Sequence, residues 1–317
     1  MEDRTKGSSA GKIWNDPLRP QQPLASGRWI LGAVLGTIAL AGVSLYGAIC
    51  LLFWQGQWQL VFHPVRGVPA AAPLALKYED LRFDATETGV LQMDGWWIPA
   101  EANGKYAGDT ILFLRDGSGA LGGSAAQLQA LHALGINVFA FDYRGFGASV
   151  QLHPSEKTVS EDADAAWTYL TGTRHLPPGR IVLYGVKLGA AVAAEAALRH
   201  PQTPALMMED PQPPTLEVLG RSPSLRYLPV RLLFHDRFDP ARTLARLRTP
   251  KLFISTAQGF AADSPAPAKT LLYFDGAAEP KRSVALPATA GTSIYRDTTY
   301  ADSLDGFLRE YLPASAP

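Results

Sequence analysis

A chain of 317 residues, 47% of them hydrophobic, holds enough apolar material for one large folded domain or two small ones, and its composition is not that of a disordered protein. Its 29 basic and 29 acidic side chains cancel, which argues against a nucleic-acid partner and against electrostatic capture of a charged substrate. One cysteine, Cys50, excludes an internal disulfide, no Cys/His cluster has zinc-ligand spacing, and nothing calls for a cofactor.

Residues 1–28 are polar and dotted with Pro, Gly and Ser, the composition of a short flexible tail. From Trp29 to Trp54 the chain runs 26 residues without a charge. At ~1.5 Å per residue a helix of that length exceeds the ~30 Å bilayer core, so a transmembrane helix is expected over 29–54. The tryptophans at its ends suit the two interfaces. Five basic residues (Arg4, Lys6, Lys12, Arg19, Arg28) precede it, against Arg66 alone in the 20 residues after it. That bias predicts a cytoplasmic amino terminus and a domain on the far side, periplasmic or lumenal. A cleaved signal peptide is the competing reading, but its apolar region spans only ~7 to 15 residues and ends in a small-residue site that this stretch lacks.

A single folded domain is expected over 58–313. The pieces 76–83 and 90–99, joined by "DATETG", predict an antiparallel hairpin. Six short runs follow at 110–114, 136–141, 181–184, 205–208, 251–254 and 282–286. They are mostly apolar on both faces, as buried parallel strands are. Amphipathic segments at 123–134, 158–171, 188–199 and 298–312 alternate with them, and Thr158 with Glu161 has the spacing of a helix-opening capping box. This alternation predicts an α/β fold with a doubly wound, mostly parallel sheet. In such sheets ligands sit beyond the carboxyl ends of the strands, which directs attention to the loops after 114, 141, 184, 254 and 286.

The turn Gly185-Val186-Lys187-Leu188-Gly189 has the glycine spacing of a G-x-S-x-G nucleophile elbow with lysine at its centre. Here the chain resembles the α/β-hydrolase superfamily. "DYRGFGAS" (142–149), "LVFHP" (60–64) and "HDRFDP" (235–240) resemble its membrane-anchored serine-aminopeptidase-like and lysophospholipase-like branch. The resemblance implies that fold and a serine-hydrolase ancestry with ester or amide substrates.

It also implies a Ser-His-acid triad beside two oxyanion-binding N–H groups, and this sequence departs from that pattern at each catalytic position. Lys187 stands where the serine belongs, and an ammonium is no nucleophile unless its surroundings strip its proton. The acid's place, after the strand at 251–254, falls near Gly259, with Asp263 four residues late. The histidine's place after 282–286 is taken by Thr292, and 82 residues follow the last histidine, His235. Asp116 replaces the histidine of the H-G-x-G loop, in "RDGSG" (115–119), which should face the elbow and let Asp116 pair with Lys187. The expected ligand-binding remnant of the oxyanion region is then Asp116, Gly117, Ser118, Lys187 and Leu188. Ser118 and Ser149 read as ordinary loop serines, and none of the six histidines reads as a base.

These departures predict a membrane-anchored binding or scaffold domain without hydrolytic activity. Two alternatives stand beside it: a hydrolase with altered chemistry at Lys187, and a structural subunit of a membrane assembly whose protein or small-molecule partner the sequence does not name.

Overall fold

The computed structural model describes residues 26–65, 76–84, 90–256, 273–286 and 291–312. The expected apolar helix is α1, Gly27–Gly56, with no buried residue along its length. An 18-residue stretch within it has a mean hydropathy of 2.0, and the helix is long and apolar enough to cross a membrane. The chain divides into two compact units, Met1–Leu51 and Leu52–Pro317.

Among the described residues, beside a separate short pair that joins His63–Pro64 to Ser118–Gly119, the main sheet of the second unit has eight strands: β1 Glu79–Asp84, β2 Leu91–Ile98, β3 Tyr106–Leu114, β4 Ile136–Phe141, β5 Ile181–Val186, β6 Leu206–Glu209, β7 Lys251–Ser255 and β8 Lys281–Ala285. They lie in the order β8-β7-β6-β5-β3-β4-β2-β1. β1 pairs antiparallel with β2, and β2 with β4, while every other neighbour is parallel. Parallel strands need both faces covered, and their alternation shows how. Along β3, Leu112 and Leu114 point into one apolar layer, whereas Ile111 and Phe113 point into the other.

The first layer is closed by α3 (Glu156–Thr168), α4 (Leu188–Arg199) and α7 (Pro240–Leu244), and the second by α2 (Ala125–His132) and α8 (Thr298–Tyr311). The alanine run of α4 is the sequence reason for its close seat: nine of its residues are buried, and small side chains let its backbone approach the sheet. Between β6 and β7 come only two short helices before α7, α5 (Thr215–Gly220) and α6 (Val230–Leu233), and no large lid stands there.

The helix expected from Thr158 starts one turn earlier. Ser155 is its N-cap, in extended conformation, and its hydroxyl accepts from the Thr158 N–H at 3.2 Å, while the Thr158 hydroxyl accepts from the Ser155 N–H at 2.8 Å. Thr158 therefore occupies the third helical position of the box rather than the cap. Glu161, assigned that role from spacing, instead reaches the Arg144 guanidinium at 2.9 Å. Ser155→Ala removes a donor's partner at a helix start and is expected to cost about 1 kcal/mol, read from the urea midpoint of the variant.

Candidate functional site

Lys187 closes β5 and opens α4 with φ 51° and ψ −111°. A side chain is strained in that region, and the flanking glycines explain how the turn forms. A Cβ on Gly185 would lie 2.3 Å from the Gly189 carbonyl oxygen, and one on Gly189 would lie 2.1 Å from the Leu114 carbonyl oxygen. Neither position has room for any other residue. The Lys187 N–H donates to the Glu209 carbonyl at 2.8 Å, which ties the turn to the neighbouring strand end.

The Lys187 side chain rises at the carboxyl edge of the sheet, about one third exposed, with Nζ 3.7 Å from Asp116 Oδ2. Asp116 is itself held by the next turn: its carboxylate accepts from the Ser118 N–H at 3.1 Å and from the Ser118 hydroxyl at 2.9 Å. Beneath them opens a cavity of about 290 Å³ whose polar walls include Lys187, Asp116, Gln127, Glu209, Asp210 and Tyr295. None of the six histidines lines it. The His63 backbone N–H donates to the Gly117 carbonyl at 2.8 Å, the His132 ring meets the Pro99 carbonyl, His153 stacks on Trp58, and His200 pairs with Asp164. His235 contacts Gln57, and His175 lies in the connection before β5.

Two acidic residues at the end of β6 form the cavity floor. Glu209 is buried and accepts from Gln127 Nε2 at 2.6 Å, from the Tyr295 hydroxyl at 2.7 Å and from the Tyr184 hydroxyl. The Tyr184 hydroxyl lies 2.9 Å from that of Tyr300. Desolvation dominates this cluster and pushes the Glu209 carboxyl up to about 7, against the pull of its three donors. Burial also raises Asp210, while the Thr256 N–H at 2.7 Å, the Thr256 hydroxyl and the charge of Lys187 oppose the rise.

Of the five residues assigned to ligand binding from sequence, Asp116, Ser118 and Lys187 meet at the cavity. Gly117 and Leu188 sit behind it: Leu188 is buried, and a Cβ on Gly117 would press on Leu188 Cδ1 at 3.1 Å. Leu188 still begins α4, so its N–H is one of those that a helix leaves without an internal partner. Gly259 and Asp263 lie outside the described residues, and Thr292 falls in the 3-10 turn Gly291–Arg296.

The loop after residue 141, expected among the site loops, is not part of the wall. Asp142 turns inward to take Arg115 Nη1 at 2.7 Å, and the buried Ser149 hydroxyl donates to the Asp142 carbonyl at 2.6 Å, so that loop braces the wall from behind. Glu209, Asp210, Gln127 and Tyr295 escaped the sequence reading. The signal was present in "MMED", two acids ending a buried strand at the edge where these sheets bind ligands.

The strain at Lys187 carries a prediction. Lys187→Gly releases a backbone cost of about 1 to 3 kcal/mol and gives up a half-exposed ion pair and some chain entropy, each about 1 kcal/mol or less. The variant is expected to be about 1 kcal/mol more stable than the parent, whereas Lys187→Ala, which keeps a Cβ, gains nothing; paired denaturation curves check both.

A family model described as "Serine aminopeptidase, S33" matches residues 111–212. The uncharacterized protein Rv2307c of Mycobacterium tuberculosis is 33% identical over 254 residues, 80% of this chain and 86% of that one. The alpha/beta hydrolase domain-containing protein WAV2 of Arabidopsis thaliana is 30% identical over 242 residues, covering 70% and 75%. Among solved structures, an esterase of Pyrococcus furiosus superposes with a TM-score of 0.58 at 18% identity, covering 80% and 98%. An alpha-beta hydrolase of Vibrio vulnificus gives 0.57 at 19%, covering 73% and 81%.

Proposed function

Because this chain belongs to the α/β-hydrolase superfamily, whose hydrolytic members set their nucleophile at the turn that Lys187 occupies here, we propose that it is a membrane-anchored binding domain that has given up hydrolysis and kept the pocket. The observation that carries this reading is the cavity itself: about 290 Å³ of space at the carboxyl edge of the sheet, lined by Lys187 and three carboxyl groups and by none of the chain's histidines. A serine-type acyl transfer needs a base within hydrogen-bond reach of its nucleophile, and the cavity has neither the serine at the turn nor an imidazole. Lys187 shares the space with Asp116, its Nζ 3.7 Å from the carboxylate and its side chain about one third exposed. Fold descent supplies no activity by itself.

The charges describe what such a pocket accepts. Arg115, also at the cavity wall, is matched by Asp142 behind it; among the remaining charges Asp116 and Asp210 outnumber Lys187, and Glu209 adds a second net negative charge when it ionises, so small ligands with cationic or hydrogen-bond-donating groups fit best. In this reading α1 holds the protein in a membrane with its amino terminus in the cytoplasm, the orientation supported by five basic residues before the span.

The test is turnover of short and long acyl p-nitrophenyl esters by the protein beside Lys187→Ala. Both are expected at the buffer rate. Turnover above buffer that disappears with the lysine would return the chain to catalysis and overturn the binding reading.

A further inference from the structure

Where the chain leaves its long apolar stretch it is clamped to one place on the domain. Gln57 is buried; its Nε2 donates to the Leu233 carbonyl at 3.2 Å, and its Oε1 accepts from the His235 N–H at 3.0 Å. Phe53 packs into a small apolar cluster of Leu219, Val230 and Phe234, apart from the two layers of the main core. Leu219 of α5 and Val230 of α6 are thereby buried, while other apolar side chains of the same segment face solvent. Leu232 is 78% exposed, Tyr227 71% and Val218 53%, three of the largest apolar exposures outside α1. The same segment carries the exposed Arg221, Arg226 and Arg231; Arg221 pairs with Glu217 at 2.6 Å, Arg226 lies 4.4 Å from the Tyr227 ring, and each keeps its guanidinium at the surface.

Counting residues 215–237, four arginines against Glu217 and Asp236 leave +2, in a chain whose total is zero. A local excess of positive charge around outward leucine, tyrosine and valine is the composition of a surface that lies in a headgroup layer: the apolar groups enter the acyl boundary, and the guanidinium groups reach back to lipid phosphates. Trp54 and Leu60, each nearly half exposed, flank the same attachment point, and tryptophan is an interface residue.

We propose that the exposed side of segment 215–233, with Val218 on α5, Leu232 and Arg231 on α6, and Arg221, Arg226 and Tyr227 in the connection between them, rests on the surface of an anionic bilayer. This rests on the reading of α1 as a membrane anchor and extends it. The single helix becomes one of two attachments, and the domain holds a fixed face to the lipid instead of swinging on its tether. A leaflet contact suits the surface better than a protein partner because Gln57, the first residue after α1, is hydrogen-bonded to Leu233 on α6 itself.

The experiment uses the full chain with Cys50→Ser and one spin-labelled cysteine at a time, reconstituted in phosphatidylcholine vesicles containing phosphatidylglycerol. Labels replace Leu232, Leu40 within α1, and Asn103, which is exposed on the loop between β2 and β3 at the opposite edge of the sheet. Collision rates with oxygen, which concentrates in lipid, and with a water-soluble nickel chelate report the phase around each label. Leu40→Cys and Leu232→Cys are expected to shift towards oxygen, and Asn103→Cys towards the chelate. A lipid signal at 40 with an aqueous one at 232 overturns the docking face and leaves the anchor standing. An aqueous signal at 40 overturns the anchor and the docking face with it.

Discussion

Asp142→Ala is expected to lower the melting temperature of the protein by roughly 10 °C, through a loss of about 3 to 5 kcal/mol, more than any surface ion-pair deletion in the molecule. Arg115 and Asp142 are 2% and 1% exposed and meet at 2.7 Å. The same guanidinium donates to the Ser118 carbonyl and lies 5.2 Å from the Phe146 ring, and its Nε has no partner. Removing Asp142 leaves a buried guanidinium with the Ser118 carbonyl but no counter-charge in contact, where the penalty is the uncompensated charge and not merely one lost bond. Asp142→Asn keeps the shape and an acceptor oxygen, so its loss should fall between those of the alanine variant and the parent. Glu217→Ala, which loses only the pair with the exposed Arg221 at 2.6 Å, should cost far less. Melting curves of the three variants order them, and an Asp142→Ala variant as stable as Glu217→Ala would show that the buried pair is not what holds the wall.

That pair also marks how far the sequence could be read. Strand positions were legible because parallel strands must be apolar on both faces, and the runs at 136–141 and 181–184 reappear within one or two residues as β4 and β5. The elbow was legible because two glycines four apart at a strand end have little purpose other than a tight crossing, and the space at Gly185 and Gly189 is filled by backbone. The capping box at Thr158 was misplaced by one turn, since several hydroxyls lay at workable spacings and the choice between them depends on where the preceding chain enters.

The cavity floor was harder for a different reason. Glu209 and Asp210 come together with Gln127 and Tyr295 across separations of more than 80 residues, and no local pattern encodes such a meeting. "DYRGFGAS" was recognisable, yet its task in this chain differs from lining a site: Arg144 is locked to Asp162 on α3, Asp142 to Arg115, and Ser149 to the backbone. The segment is a brace, and its likeness to hydrolase sequences follows from what the fold needs to stand, independently of whether a serine follows.

Glu209 supplies the second large effect, and its sign follows from where the proton resides. In the unfolded chain the carboxyl has its ordinary value of 4.5, whereas in the folded protein desolvation holds it near 7. Between those two values the folded state carries a proton that the unfolded state has lost, so the stability from this group is fully present below pH 4.5 and falls away as pH rises through 7. The total is about 3 kcal/mol, from a shift of roughly 2.5 units at 1.36 kcal/mol each. Asp94 and Asp162, both pushed up to about 6, slope the same way, so the comparison that isolates Glu209 is with Glu209→Gln. The amide cannot ionise and keeps an acceptor for Tyr184 or Tyr295. The parent should therefore lose stability relative to this variant between pH 5 and pH 8, and a difference that stays flat across that range would place Glu209 in one protonation state throughout. The ligand side follows from the same proton: above pH 7 the floor gains a negative charge below Lys187, so a cationic ligand should bind more tightly at pH 8 than at pH 6 in the parent and equally at both in the variant.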